Sequence, residues 1–162
     1  MKDDSELFNI KLNLNNQKVI HRDCDRTRSL ERKVQFSFVE YAEYIITYYC
    51  QKHNFKYKQG LNEIVGPFVL IKQKLNISFS KLYNLFIAFI DKFLSNYYSE
   101  EDFFSLKSSL SLINILLKYH SPEIYNLFDF LLITPEIYAT SWILTLFSNK
   151  SSLKLIIYCK KK

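Results

Sequence analysis

Two short segments hold most of the side chains in this sequence whose types and spacing could do chemistry. Ile20-His21-Arg22-Asp23-Cys24-Asp25-Arg26-Thr27 sets an arginine among aspartates, and Tyr57-Lys58-Gln59-Gly60-Leu61-Asn62-Glu63-Ile64 sets a glutamine beside a glycine at a helix entrance. Each also has an ordinary structural reading. Arg26 can be a surface charge in an acidic cluster just before a helix, and Gln59 a capping or turn residue. Metal-ligand types recur as well: His21 and Cys24 are three apart, as are Cys50 and His53. Four such ligands suit tetrahedral zinc. Their mixed order and long separation fit no common zinc module, and Cys50 lies in an apolar run where cysteine behaves as a small hydrophobe, so no metal is expected. The three histidines are scattered and make no catalytic triad. No P-loop and no GxGxxG occurs, so the chain is not expected to bind a nucleotide by itself, which leaves a helper role in nucleotide chemistry.

The elements that must position these residues read as helices. Residues 1–19 form a polar lead-in, and the weakly periodic stretch to residue 29 reads as a loop that becomes ordered at its end. From Leu30 the pattern is helical: Val34, Phe38, Tyr41, Ala42, Ile45 and Tyr49 lie on one face, with Ser29 as cap and Glu31 in the first turn. Both glycines, Gly60 and Gly66, fall between Asn54 and Pro67, where a backbone must turn sharply or approach something closely. Pro67 either kinks the next helix or starts another. Further stripes run through Leu82, Leu85, Phe86, Phe89, Ile90 and Phe93, and through Leu106, Leu110, Ile113 and Leu117. Ser121-Pro122-Glu123 and Thr134-Pro135-Glu136 each combine a capping hydroxyl, a proline at the first helical position and an acid. The second of these is expected to open a helix carrying Tyr138, Trp142 and Leu146.

Composition agrees with an all-α domain. Two glycines and three prolines in 162 residues cannot supply the turns of a β-sandwich or the phosphate loop of a dinucleotide fold. With 48% hydrophobic and 17% aromatic residues a packed core is available. The formal net charge is +6, but the cations are scattered apart from Lys160, Lys161 and Lys162. No nucleic-acid partner is expected from such a distribution, and membrane contact is expected to be peripheral at most, at about 1 kcal/mol per terminal lysine. Three cysteines without a framework and a polar N-terminus point to a reducing compartment.

Taken together, the two segments resemble the signature motifs of the TBC domain family of Rab GTPase-activating proteins. Ile20, Asp23 and Arg26 match an I-x-x-D-x-x-R motif; Tyr57, Gln59 and Gly60 match a Y-x-Q-G motif; and Tyr138 to Phe147 is similar to the family's tryptophan-bearing helix. The resemblance runs from about Ile20 to Phe147, and residues 20–162 are expected to form an all-α, TBC-like domain, incomplete at its C-terminus, of which only the N-terminal part is expected here. It implies a Rab-type small GTPase as partner, with Mg²⁺ and GTP belonging to that partner and no cofactor of the chain's own. It also implies that Arg26 is an arginine finger and Gln59 a glutamine finger. An arginine supplied in trans is worth about 10³–10⁵ in rate, or roughly 4–7 kcal/mol. Asp23 would hold the finger or its loop, Tyr57 would wedge Gln59, and Gly60 would let the backbone come near the GTPase.

Tyr49 to Asn54 and Gly60 to Ile64 further resemble a trans-Golgi branch that pairs its TBC domain with a rhodanese-like domain and whose members act as adaptors. The alternative expectation is therefore an inactive module binding a Rab or a tethering protein at Golgi or endosomal membranes, from the cytoplasmic side. If both fingers act on one transition state, the chain must reverse after His53, and Gly60 must open a helix returning toward Arg26. Both side chains should then sit on one exposed concave face, with Arg26 accessible rather than locked in a buried pair.

Overall fold

The computed structural model describes residues 10–27, 36–94, 96–98, 102–152, 155 and 158. They form eight helices and no strand: α1 (Gln17–Arg26), α2 (Phe36–His53), α3 (Leu61–Leu75), α4 (Phe79–Phe93), α5 (Phe104–His120), α6 (Pro122–Phe130), α7 (Pro135–Tyr138) and α8 (Thr140–Thr145). The expected cap Ser29, the first-turn Glu31, Leu30, Val34 and Lys160 to Lys162 lie outside the described residues, as do residues 1–9 of the lead-in.

Helix α2 is central. At 18 residues it is about 27 Å long, and its expected face is buried at Phe38, Ala42, Ile45 and Tyr49. It is covered on two sides, by α1 and by α3, so Ile46, Thr47 and Cys50 are buried as well. The chain reverses after α2 through Asn54, whose φ is +53°, and Phe55 N donates to Cys50 O at 3.2 Å. Pro67 lies within α3, buried, and does not open a new helix. Helix α4 closes the body: Leu82, Phe86 and Ile90 are fully buried, and Phe86 meets Tyr49 and Phe68 edge-on. Ser78, which the motif reading did not single out, caps α4 by side chain, accepting from Lys81 N at 3.3 Å.

The second half is thinner. Leu106 and Leu110 of α5 pack with Ala139 and Leu144 in a small cluster, while α6 buries no residue. Pro122 and Pro135 do open helices, but neither Ser121 nor Thr134 caps with its side chain. Ser121 serves through its carbonyl, which accepts from Tyr125 N at 3.0 Å. The tryptophan-bearing helix is not continuous. It breaks at Ala139 into the four-residue α7 and the six-residue α8, and the chain leaves α8 through Leu146 and Phe147, both at positive φ.

The largest departure from the sequence reading is α1. Its inward positions Ile20, Asp23, Cys24 and the following Thr27 are all buried. Their spacing is helical, but two of the four are polar, so apolar periodicity could not reveal the helix. Arg26 accordingly is the last residue of a helix.

Candidate functional site

The site is the place where the C-terminus of α1 meets the turn that leads into α3. Tyr57 lies along α1. Its carbonyl receives a long contact from Asn16 Nδ2 at 3.5 Å, and its hydroxyl donates to Asp23 Oδ2 at 2.8 Å. The same hydroxyl is 3.1 Å from Asn62 Oδ1; with one hydrogen available, the shorter, charge-assisted bond to the carboxylate takes it. Burial, followed by the hydrogen bond and charge of Asp23, pushes the Tyr57 hydroxyl well above the ordinary phenol range. It therefore remains a donor at any physiological pH.

Asp23 is 3% exposed and divides its carboxylate between two partners: Oδ2 takes Tyr57, and Oδ1 takes Arg26 Nη2. The Arg26 side chain is 71% exposed. It is thus accessible, as expected, and yet paired with a buried acid, which was not expected. The pair uses one nitrogen of a fork that carries five N–H donors. The pair joins a buried carboxylate to a guanidinium that lies mostly in water, so it orients Arg26 while leaving it accessible.

On the other side, Gln59 is exposed and Gly60 is buried. Gly60 is the N-cap of α3 at φ +109°. A Cβ there would stand 3.3 Å from Tyr98 Oη, 3.7 Å from Leu144 Cβ and 3.7 Å from Thr145 Cγ2. The close approach that glycine permits is made to the chain's own side chains, whereas a partner's approach was expected. Tyr98 in turn donates to Leu144 O at 2.5 Å, which ties α8 to the α3 entrance. Gln59 lines an open cleft of about 530 Å³, together with Lys58, Glu63, Phe103, Thr140 and Asn149. Lys58 Nζ sits over the Phe103 ring, 3.9 Å from its centroid. Arg26 does not line that cleft among the described residues; it reaches the Gln59 turn through Asp23 and Tyr57.

Sequence reasoning did not single out Thr27 and Asn62, which complete the junction. Asn62 Nδ2 donates to Thr27 Oγ1 at 2.8 Å, Asn62 Oδ1 accepts from Gly60 N at 3.0 Å, and Thr27 Oγ1 donates to Asp23 O at 2.8 Å. The available signal was an asparagine, 6% exposed, inside an apolar stripe with Leu61, Ile64 and Val65.

The histidine and cysteine pairs are drawn elsewhere. His21 Nδ1 is 2.8 Å from Glu43 Oε2, whose other oxygen accepts from Gln17 Nε2 at 2.7 Å. His53 packs against Tyr49 and Phe55. Cys50 is buried, and burial pushes its thiol up to about 12.

The profile of the Rab-GTPase-TBC domain matches residues 1–158. The TBC domain-containing protein kinase-like protein of Homo sapiens is 29% identical over 103 residues, which is 63% of this chain and 11% of that protein. The protein of the same description from Dictyostelium discoideum is 33% identical over 95 residues, 57% of this chain and 9% of its own length. The chain therefore spans about a tenth of the length of the curated relatives it matches. An all-helical body whose Asp23–Arg26 and Tyr57–Gly60 segments are bonded into one junction, together with a profile match over nearly its whole length, makes this chain a member of the Rab-GTPase-TBC domain family.

Proposed function

We propose that the chain accelerates GTP hydrolysis on a Rab-class GTPase, with Arg26 and Gln59 acting in trans on the partner's nucleotide. The observation that carries this is the shared anchor. One buried carboxylate, Asp23, holds the exposed Arg26 by one oxygen and the Tyr57–Gly60 turn by the other. Two exposed groups set on one rigid junction can address one reacting centre, and holding reactants in register is worth several kcal/mol. Arg26 would neutralise charge on the transferring phosphoryl group, and Gln59 would orient the attacking water. Mg²⁺ and GTP would come with the partner. Lysine would not replace Arg26, because an ammonium lacks the planar fork.

A second reading is favoured by a different feature. Phe130 and Leu132 are 83% and 82% exposed and Tyr119 is 80% exposed, and apolar side chains left this open suit binding better than catalysis. On that reading the chain is an adaptor that docks a Rab or a tethering protein at Golgi or endosomal membranes, as in the rhodanese-bearing branch. No helix among the described residues is long and apolar enough to cross a membrane, so such contact would be peripheral. Single-turnover hydrolysis by a panel of GTP-loaded Rabs separates the two. The catalytic reading expects acceleration that Arg26→Lys and Gln59→Ala each lower strongly while binding persists. Binding without acceleration by any Rab leaves the adaptor.

A further inference from the structure

We infer that Asn62 and Thr27 are positioning residues that hold the Arg26 helix and the Gln59 turn in one register. This rests on the catalytic reading above and assigns it two residues outside the motifs that suggested it.

The argument is one of donors and acceptors. Thr27 is the C-cap of α1, next to Arg26, and is 1% exposed. Its hydroxyl donates to Asp23 O and accepts from Asn62 Nδ2, each at 2.8 Å. Asn62 Nδ2 also lies 3.4 Å from Asp23 O. On its other atom, Asn62 Oδ1 accepts from Gly60 N at 3.0 Å. That N–H belongs to the peptide unit joining Gln59 to Gly60, so the bond sets the direction in which the Gln59 backbone leaves the turn. One amide thus donates to the segment that ends in Arg26 and accepts from the segment that carries Gln59.

Few other side chains can do both. Aspartate is isosteric but has no donor when ionised, and it would set a second carboxylate against buried Asp23. Alanine leaves Gly60 N without its side-chain acceptor and Thr27 Oγ1 without its donor. Valine at position 27 keeps the shape of threonine but breaks the relay, leaving Asn62 Nδ2 with only its 3.4 Å contact. Serine at 27 keeps the hydroxyl. Misplacement of a reacting group by about 1 Å costs on the order of 10²-fold in rate, which is the scale expected here.

The test measures single-turnover hydrolysis and, separately, binding for a GTP-loaded Rab that the intact protein accelerates, at a temperature well below the melting transition. Thr27→Val should lower the rate constant about 10²-fold with partner affinity unchanged, and Thr27→Ser should restore it. In a Gln59→Ala background, which retains Arg26, the Thr27→Val loss should shrink, because the glutamine it positions is gone. Asn62→Asp should behave as Thr27→Val does; if that variant fails to fold, the Thr27 pair and the double variant decide. Wild-type rates in Thr27→Val, while Arg26→Lys and Gln59→Ala are slow, overturn the inference and leave the fingers standing. A loss that is the same size with and without Gln59 also overturns it, since the relay then does not act through the Gln59 turn. Unchanged rates in Arg26→Lys and Gln59→Ala overturn the catalytic reading itself.

Discussion

Helices α1–α4 and helices α5–α8 are built from similar material and are stabilised differently. In the first group the apolar stripes close on one another: Ile20, Phe38, Ile45, Leu61, Ile64, Leu82, Phe86 and Ile90 are all fully buried. In the second, the buried apolar cluster consists of Leu106, Leu110, Ala139 and Leu144, while Leu112, Ile115, Tyr119, Phe130 and Leu132 face outward. Amphipathic pattern alone therefore does not make a core; a stripe needs a facing stripe. The site lies on the seam. Its hydrogen-bond network belongs to the first group, and α8 reaches it through Leu144 and Thr145 at Gly60. The rigid half supplies the registered groups, and the thin half supplies one wall of the cleft beside Gln59.

The largest expected effect lies in the first group and is kinetic. Arg26→Lys should lower Rab GTP turnover by about 10³-fold or more with binding nearly intact, because the guanidinium's contribution is made in the transition state. A proportional loss of binding would move function away from the junction. The next effect is on folding: Phe86→Ala should cost about 3–5 kcal/mol in urea unfolding. An effect that small substitutions in α5 equal would erase the difference between the two groups.

Tyr57→Phe sharpens the comparison at the seam. It removes the Tyr57 hydroxyl that donates to Asp23 Oδ2 and leaves a buried carboxylate oxygen short of that partner, at a cost of about 1–3 kcal/mol. Differential scanning should show the fall, and turnover should fall with it.

Alkali should strike the same half. Cys50 has its thiol raised from 9.0 to about 12 by burial, and burial also raises the hydroxyls of Tyr49, Tyr57, Tyr83 and Tyr98. A group with its folded pKa above the unfolded one contributes in full below the unfolded value. That contribution is lost as pH rises from the unfolded toward the folded value. Stability should therefore be flat to about pH 9 and then decline, by at most about 1.4 kcal/mol per pH unit for each group. Urea midpoints from pH 8 to 11 check this, and Cys50→Ala should delay the onset toward the tyrosine range. The smallest effect belongs to the second group. Phe130→Ser should change stability by no more than about 0.5 kcal/mol while lowering the binding of an apolar dye. A large destabilisation would show that α6 already has a partner stripe within this chain.

The sequence by itself determined the class of fold and most helix faces. Glycine and proline scarcity excluded sheets, the stripes through Phe38 to Tyr49 and through Leu82, Phe86 and Ile90 identified the buried sides of α2 and α4, although Leu85 and Phe93 of the same expected stripe are exposed, and Pro122 and Pro135 marked two helix starts. It also singled out Arg26 and Gln59 by type and motif. The tertiary structure alone decided what those residues touch. Helix α1 was hidden because its buried side is half polar, and a buried polar side chain pays off only when partners distant in sequence arrive, as Tyr57 and Asn62 do at Asp23 and Thr27. The split of the tryptophan-bearing segment at Ala139 was hidden for a related reason. Neither a propensity nor a stripe records that Leu144 and Thr145 must come within reach of Gly60. Local pattern reports the preferences of neighbours along the chain, whereas register across the junction is set by bonds between residues more than thirty positions apart.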